Sequence, residues 1–169
     1  MAAPERVAIV SGYFNPIHIG HLRLVKAARE LAPHVVVIVN NDRQQLLKKG
    51  RILMTEDDRL AIVAELRSVD EAFVAVDDDA TVVASLRRVR EQHPDAELLF
   101  CNGGDRSSAG DVPSAETHLT DEIGLQMVYG VGGEEKADSS SRINEELSRS
   151  DSPAVKTRSP RTPAADESR

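Results

Sequence analysis

Two hydrophobic periods alternate along this chain. Val7-Ala8-Ile9-Val10 is an unbroken apolar run, and after it Leu22, Leu24, Val25 and Ala28 recur at helical spacing. Val35 to Val39 is again uninterrupted and mostly β-branched, the mark of a strand covered on both faces. The pattern predicts strands over 6–10, 35–39, 72–76, 97–101 and 125–129. It predicts helices over 19–32, from Thr55 onward, over 81–92, and after the serines at 139–141. Thr55 reads as an N-cap, with Glu56, Asp57 and Asp58 favouring the positive helix end and Leu60, Ile62, Val63 and Leu66 as the inward stripe. In the 81–92 helix the inward positions are Val82, Val83, Leu86 and Val89. Such alternation predicts an α/β fold: a Rossmann-like, doubly wound sheet of about five parallel strands with helices on both faces. In sheets of this kind the ligand lies beyond the carboxyl ends of the strands, where the strand order switches.

Composition sets the boundaries of that domain. From Ser148 the chain turns to Ser, Pro, Arg and Asp with almost no large apolar residue, too little to offset the entropy of ordering. The expected division is a folded domain over 1–147 and a disordered tail over 148–169. With 40% hydrophobic but only 3% aromatic residues, the core must be built from Val, Leu, Ile and Ala. A net charge of −7 argues against a nucleic-acid partner. It also means that an anionic substrate must be drawn in by local Lys, Arg and His and by helix ends. One cysteine, Cys101, excludes an intrachain disulfide framework and suits a reducing compartment. With no secretory apolar segment and no run long enough for a bilayer, the expectation is a cytoplasmic protein that does not contact membranes.

The chemistry concentrates in Ser11-Gly12-Tyr13-Phe14-Asn15-Pro16-Ile17-His18-Ile19-Gly20-His21, a turn between the first strand and the first helix. His18 and His21, three positions apart, lie on one helix face. A helix N-terminus presents unpaired backbone N–H groups and a positive dipole end, so it is an anion site before any side chain is counted. Two imidazole donors there suit a phosphate whose charge grows during reaction. A capping or solvated role for a lone His, or a metal pair, leaves Gly12, Asn15 and Gly20 unexplained. Zinc would also need further ligands that the neighbouring sequence lacks, so no metal held by the protein is expected. Asp77-Asp78-Asp79 reads better as a cap for the next helix than as a magnesium site. Cys101 reads as core, and His34, His93 and His118, without partners in sequence, as surface or turn residues.

His18-Ile19-Gly20-His21 resembles the HxGH signature of the nucleotidylyltransferase superfamily, and Gly12-Tyr13-Phe14-Asn15 stands where cytidylyltransferases usually show Gly-x-Phe-Asp. Asn40-Asn41-Asp42 leading to Lys48-Lys49, then Gly103-Gly104-Asp105-Arg106, then Ser139-Ser140-Ser141, follow in the superfamily's order, and the likeness runs from about 5 to 148. The resemblance implies attack of a phosphate or alcohol oxygen on the α-phosphorus of a nucleoside triphosphate, with release of pyrophosphate and no covalent enzyme intermediate. It implies catalytic roles for His18, His21, Lys48 and Lys49, the two lysines in a loop before the second helix, with Arg51 as a substitute amine. Nucleotide contacts fall to Gly12, Tyr13, Phe14, Gly20, Gly104, Asp105, Arg106, Lys136, Ser139, Ser140 and Ser141. Acceptor contacts fall to Asn15, Asn41 and Asp42.

Magnesium is expected to arrive on the triphosphate. The short domain and Val69-Asp70-Glu71 resemble glycerol-3-phosphate and ethanolamine-phosphate cytidylyltransferases, which implies CTP and a small phosphorylated alcohol as substrates. The Phe14-Asn15-Pro16-Ile17-His18 stretch leans instead toward adenylyl transfer from ATP to a sugar phosphate, nicotinamide mononucleotide or a similar acceptor. A nucleotide sensor without turnover is the alternative outside enzymes. The superfamily commonly forms homodimers, and the same is expected here.

Overall fold

The computed structural model of the chain describes residues 3–103, 110, 112–133 and 140–149. Its centre is a five-stranded sheet formed by β1 (Arg6–Gly12), β2 (His34–Val39), β3 (Glu71–Val74), β4 (Glu97–Gly103) and β5 (Leu125–Val131). All pairings are parallel, and the spatial order is β3-β2-β1-β4-β5. The order reverses between β1 and β4, so the carboxyl ends of those two strands flank the switch point of the sheet.

The apolar strand runs are explained by burial on both sides. Val7, Ile9, Val36, Ile38, Leu98 and Phe100 pack on one face, against Leu86 and Val89 of α4 (Val83–Gln92) and Leu119 of α6 (Leu119–Ile123). Ala8, Val10, Val35, Val37, Val39 and Leu99 pack on the other. There they meet Val25 and Ala28 of α1 (Ile19–Leu31) and Val63 of α3 (Glu56–Ala64). Thr55 caps α3, its hydroxyl accepting from the Asp58 amide at 3.3 Å. Ile62, expected inward on that helix, is exposed, because the stripe facing the sheet narrows to Val63 with Leu60 half-buried. Asp77 does cap α4: its carboxylate accepts from the Ala84 amide at 2.6 Å and the Ser85 amide at 3.1 Å.

Three further helices have no counterpart in the hydrophobic pattern. α2 (Asp42–Lys49) occupies the stretch expected as a loop. Asn41 opens it with a reciprocal capping box to Gln44, and Gly50 closes it in the left-handed conformation at φ 69°. α5 (Ser114–Thr117) and α6 are too short to show a period, yet they supply the crossover between β4 and β5 that a parallel sheet requires. α7 (Ser140–Arg149) is the expected last helix, and it includes Ser148 and Arg149, the first two residues of the expected tail. Residues 150–169 lie outside the described ones. No helix among the described residues is long and apolar enough to cross a membrane.

One side chain holds the carboxyl edge of the sheet together. Arg59 of α3 is fully buried. Its Nε donates to the Met54 carbonyl at 3.0 Å. Its Nη1 donates to the carbonyls of Tyr13 at 2.7 Å and Asn40 at 2.6 Å, and its Nη2 to Asp42 Oδ1 at 2.7 Å. Three irregular segments, after β1, after β2 and before α3, are thereby tied to one planar fork. Arg59→Met keeps the apolar stem but strands the buried Asn40 carbonyl, the partly buried carbonyls of Tyr13 and Met54 and the Asp42 carboxylate, which predicts a loss of about 3–5 kcal/mol. Arg59→Lys is expected to recover only part of that, since one ammonium cannot span the same acceptors. Denaturant melts of the three proteins check both outcomes.

Candidate functional site

The turn after β1 begins with a close fit. A Cβ on Gly12 would sit 3.1 Å from Phe14 Cζ, so the absence of a side chain there makes room for the Phe14 ring. Phe14 itself is left-handed, at φ 50°, and its ring is buried in the core. That conformation costs roughly 1–2 kcal/mol for an L-residue, and burial of the ring offsets it. The expected nucleotide contact of Phe14 is therefore restricted to its backbone. The Asn15–Pro16 peptide is cis, and the chain then enters α1 at His18.

His18 and His21 form the cap of that helix. His18 Nδ1 accepts from the Gly20 amide at 3.1 Å, and His21 Nδ1 accepts from the His18 amide at 3.2 Å. The histidine-x-x-histidine spacing is thus a reciprocal capping box made from imidazoles, with Gly20 supplying one of its donors. A ring nitrogen that accepts a backbone N–H carries no proton, so both protons are assigned to Nε2. The ring centroids lie 3.9 Å apart, and the Phe14 ring stands 4.8 Å from that of His21. Burial, and then the charge on His18, push the His21 imidazole down to about 3. His21 is consequently a neutral donor across the physiological range, not a cation.

The last helix packs against this turn. Ser140 Oγ donates to the Pro16 carbonyl at 2.9 Å, and Asn144 Nδ2 reaches the Asn15 carbonyl at 3.4 Å. Lys49, at the end of α2, donates from Nζ to Ser141 Oγ at 2.7 Å. Between these elements lies a cavity of about 450 Å³, lined by Asn15, Gln45, Lys49, Arg51, Leu53, Ser141, Asn144, Glu145, Ser148 and Arg149. Three of its lining residues carry buried polar atoms that make no hydrogen bond: Asn15 Nδ2, Gln45 Oε1 and Asn144 Oδ1. Native folds rarely leave such groups unmet, so the wall is polar beyond the needs of its own packing.

Lys49 and Arg51 therefore line the cavity, while Lys48 stands over the Tyr13 ring, 4.4 Å from its centroid. Asn15 also lines it, with Oδ1 held by the Met54 amide at 2.9 Å. Asn41 and Asp42, expected at the acceptor, turn their polar atoms inward to the fold. Asn41 Oδ1 accepts from the Gln44 amide, and its Nδ2 donates to the carbonyls of Ala75 and Asp77. The Asp42 carboxylate pairs with Arg59.

Gly104, Asp105, Arg106, Lys136 and Ser139 lie outside the described residues. The glycines before Lys136 are described: at Gly132, φ 87°, a Cβ would come within 3.1 Å of Leu24 Cα. That glycine lets the end of β5 approach the backbone of α1.

Sequence reasoning missed Gln45, Asn144 and the organising role of Arg59. The capping box at Asn41 and the stop at Gly50 were signals for α2, and hence for the placement of Gln45. It also missed a grouping at the other end of the sheet. His34 and His93, expected as separate surface or turn residues, meet at Glu71, and His93 is buried.

A model of the cytidylyltransferase-like family matches residues 9–146. The bifunctional protein HldE of Shewanella sediminis (strain HAW-EB3) is 41% identical over 103 residues, covering 60% of this chain and 20% of that protein. An FAD synthase of Pyrococcus abyssi (strain GE5 / Orsay) is 30% identical over 101 residues, covering 59% of this chain and 66% of that one. The chain thus spans about a fifth of the bifunctional relative's length. Among solved structures, a lipopolysaccharide core biosynthesis protein from Thermoplasma volcanium GSS1 shares the fold, with TM-score 0.54 and 22% identity. That match covers 73% of this chain and 94% of the other.

The depressed His21 imidazole makes a pH prediction. Its folded value, about 3, lies below the ordinary imidazole value of 6.5, so between the two the unfolded chain binds a proton that the folded one refuses. Stability from this group is complete above about pH 6.5 and falls as the pH drops toward 3, by up to about 1.4 kcal/mol per pH unit. Urea melts between about pH 7 and about pH 4 should show a shallower acid loss in His21→Asn than in the parent.

Proposed function

The chain belongs to the cytidylyltransferase-like family, and from that premise we propose that it is a nucleotidyltransferase joining a nucleoside monophosphate to a small phosphorylated acceptor. An ionised oxygen of the acceptor phosphate attacks the α-phosphorus of the triphosphate. The new P–O bond forms as the bond to the β-phosphate bridging oxygen breaks, and pyrophosphate leaves. The nucleophile is already deprotonated, so the protein need not remove a proton. Its work is alignment and stabilisation of charge on the crowded phosphorus.

The observation that carries this reading is the imidazole capping box. Both Nδ1 atoms are engaged by backbone amides, which commits both rings to donate from Nε2 at a helix N-terminus. Donors held in place before reaction, the neutral His21 among them, suit a transition state whose charge rises only transiently. Lys49, Arg51 and the Ser141 hydroxyl, around the adjoining cavity, supply cationic and hydroxyl contacts for phosphates. The amide side chains of Asn15, Gln45 and Asn144 along the cavity suit an acceptor bearing hydroxyls. Magnesium enters on the triphosphate in this scheme. Glu145 is the one carboxylate among the described residues lining the cavity.

We place ATP ahead of CTP as the donor. Val69-Asp70-Glu71, the stretch behind the CTP expectation, lies where β3 begins, at the sheet end away from the histidine turn. One relative is named for synthesis of FAD, a dinucleotide containing an AMP unit. CTP remains the second reading, on the description of the family itself.

A panel of four triphosphates against sugar phosphates, nicotinamide mononucleotide, glycerol phosphate and flavin mononucleotide, read by pyrophosphate release, tests both. Release with ATP alone is expected; release with CTP alone overturns the donor assignment. Binding without release under any pairing makes the chain a nucleotide sensor. His18→Asn keeps an acceptor for the Gly20 amide but removes the Nε2–H. It is expected to cost about 10²–10³ in kcat with the circular dichroism spectrum unchanged.

A further inference from the structure

The sheet has a second cluster of chemistry-bearing side chains, at the opposite end from the histidine turn. His34 opens β2, Glu71 opens β3, and His93 follows the last residue of α4. His34 Nε2 lies 2.6 Å from Glu71 Oε1, and His93 Nε2 lies 3.3 Å from the same oxygen. The two imidazole centroids are 5.2 Å apart, and the three candidate ligand atoms all fall within 4.8 Å of one another.

The geometry points to a metal site: we propose that His34, Glu71 and His93 bind one divalent transition-metal ion, zinc first, through Nε2, Oε1 and Nε2. Four observations carry this. Two imidazoles and a carboxylate are a donor set suited to zinc, with a fourth position left to water. Around zinc, with metal–ligand bonds of roughly 2.0–2.2 Å, tetrahedral ligand atoms stand roughly 3.3 Å apart. The His93–Glu71 pair already has that separation, and the His34–Glu71 pair needs to open by less than an ångström. His93 is more than nine-tenths buried, and its Nε2, though 3.3 Å from Glu71 Oε1, makes no hydrogen bond. Glu71 and His34 remain partly exposed, which leaves a path for the ion.

The surroundings favour a cation as well. The Asp70 carboxylate stands 4.0 Å from His34 Nδ1, too far for a hydrogen bond but close enough to favour positive charge on that side of the ring. It is itself held by Arg29 at 2.7 and 2.9 Å and by the Val35 amide at 2.7 Å. Arg29 is thus paired with Asp70, and a second cation nearby, Arg90, donates from Nη1 to the carbonyls of His93 at 3.0 Å and Ala96 at 2.8 Å.

The site is structural in consequence. It lies at the amino end of a parallel sheet whose ligand-binding edge is the carboxyl end. β3 is an edge strand of four residues, every one only half-buried. An ion held by His34, Glu71 and His93 would pin that strand to β2 and to the end of α4.

The test uses the full chain, stripped with chelator, and titrated with cobalt(II) by absorbance and with zinc by calorimetry. One ion per chain is expected, with the intense visible absorption of four-coordinate cobalt. Zinc at a hundredfold excess over its Kd should raise the thermal midpoint by about 5–10 °C. Glu71→Gln and His34→Gln are each expected to weaken zinc by more than about 100-fold, beyond the loss typical when only a supporting partner of a ligand is removed. His18→Asn should leave the cobalt spectrum intact. No visible absorption, absorption that survives both Glu71→Gln and His34→Gln, or absorption lost in His18→Asn would overturn the assignment.

Discussion

The buried guanidinium of Arg59 is the constraint on which the candidate site depends. The segments around Tyr13, Asn40 and Met54 follow no regular ladder, and their buried or partly buried carbonyls converge on one side chain. A planar fork with five donors meets three of them and the Asp42 carboxylate at once. A buried ion pair of this sort contributes little net stability compared with apolar packing, but it admits few alternative arrangements of its partners. The turn that carries the histidines and the helix that carries Lys49 are therefore held in register by a residue that makes no contribution to the cavity wall.

Around that anchor, local structure and chemistry share the same atoms. The bonds that end the orphan amides of α1 are made by His18 and His21, so the cap that starts the helix also selects the imidazole tautomer. Burial against Phe14 then keeps His21 uncharged. Just past the end of β5, Gly132 allows the chain to lie against the α1 backbone. The two ends of the parallel sheet carry different chemistry: phosphate-suited donors at the carboxyl ends, and an imidazole–carboxylate cluster where β2 and β3 begin.

Much of this was readable in the linear chain. Runs such as Val35 to Val39 are long enough, and apolar enough, to require a sheet covered twice, and their alternation with helical spacing leaves a parallel doubly wound topology as the natural answer. Thr55 and Asp77 as caps follow from short-range hydrogen bonding, as does the position of His18 and His21 at a helix start, but that the two rings themselves cap the helix was set aside in the sequence and is shown by the structure. These are properties of neighbours in sequence, and a local pattern suffices to state them. α2 was equally local, through Asn41, Gln44 and Gly50, but its weakly apolar stretch masked the capping signals.

The rest depends on contacts between residues far apart in the chain, which no spacing rule encodes. That Asp42 pairs with Arg59, that Lys49 reaches Ser141 while Lys48 covers Tyr13, and that Asn144 comes to Asn15 are all consequences of how helices dock on the sheet. The same holds for His34, Glu71 and His93, which are isolated in sequence and meet only because β2 pairs with β3 and α4 ends beside them. Local periodicity decides which elements form and which face they bury; the partners of each polar side chain are chosen when those elements close-pack, because each buried donor and acceptor must be met by whatever the fold brings near.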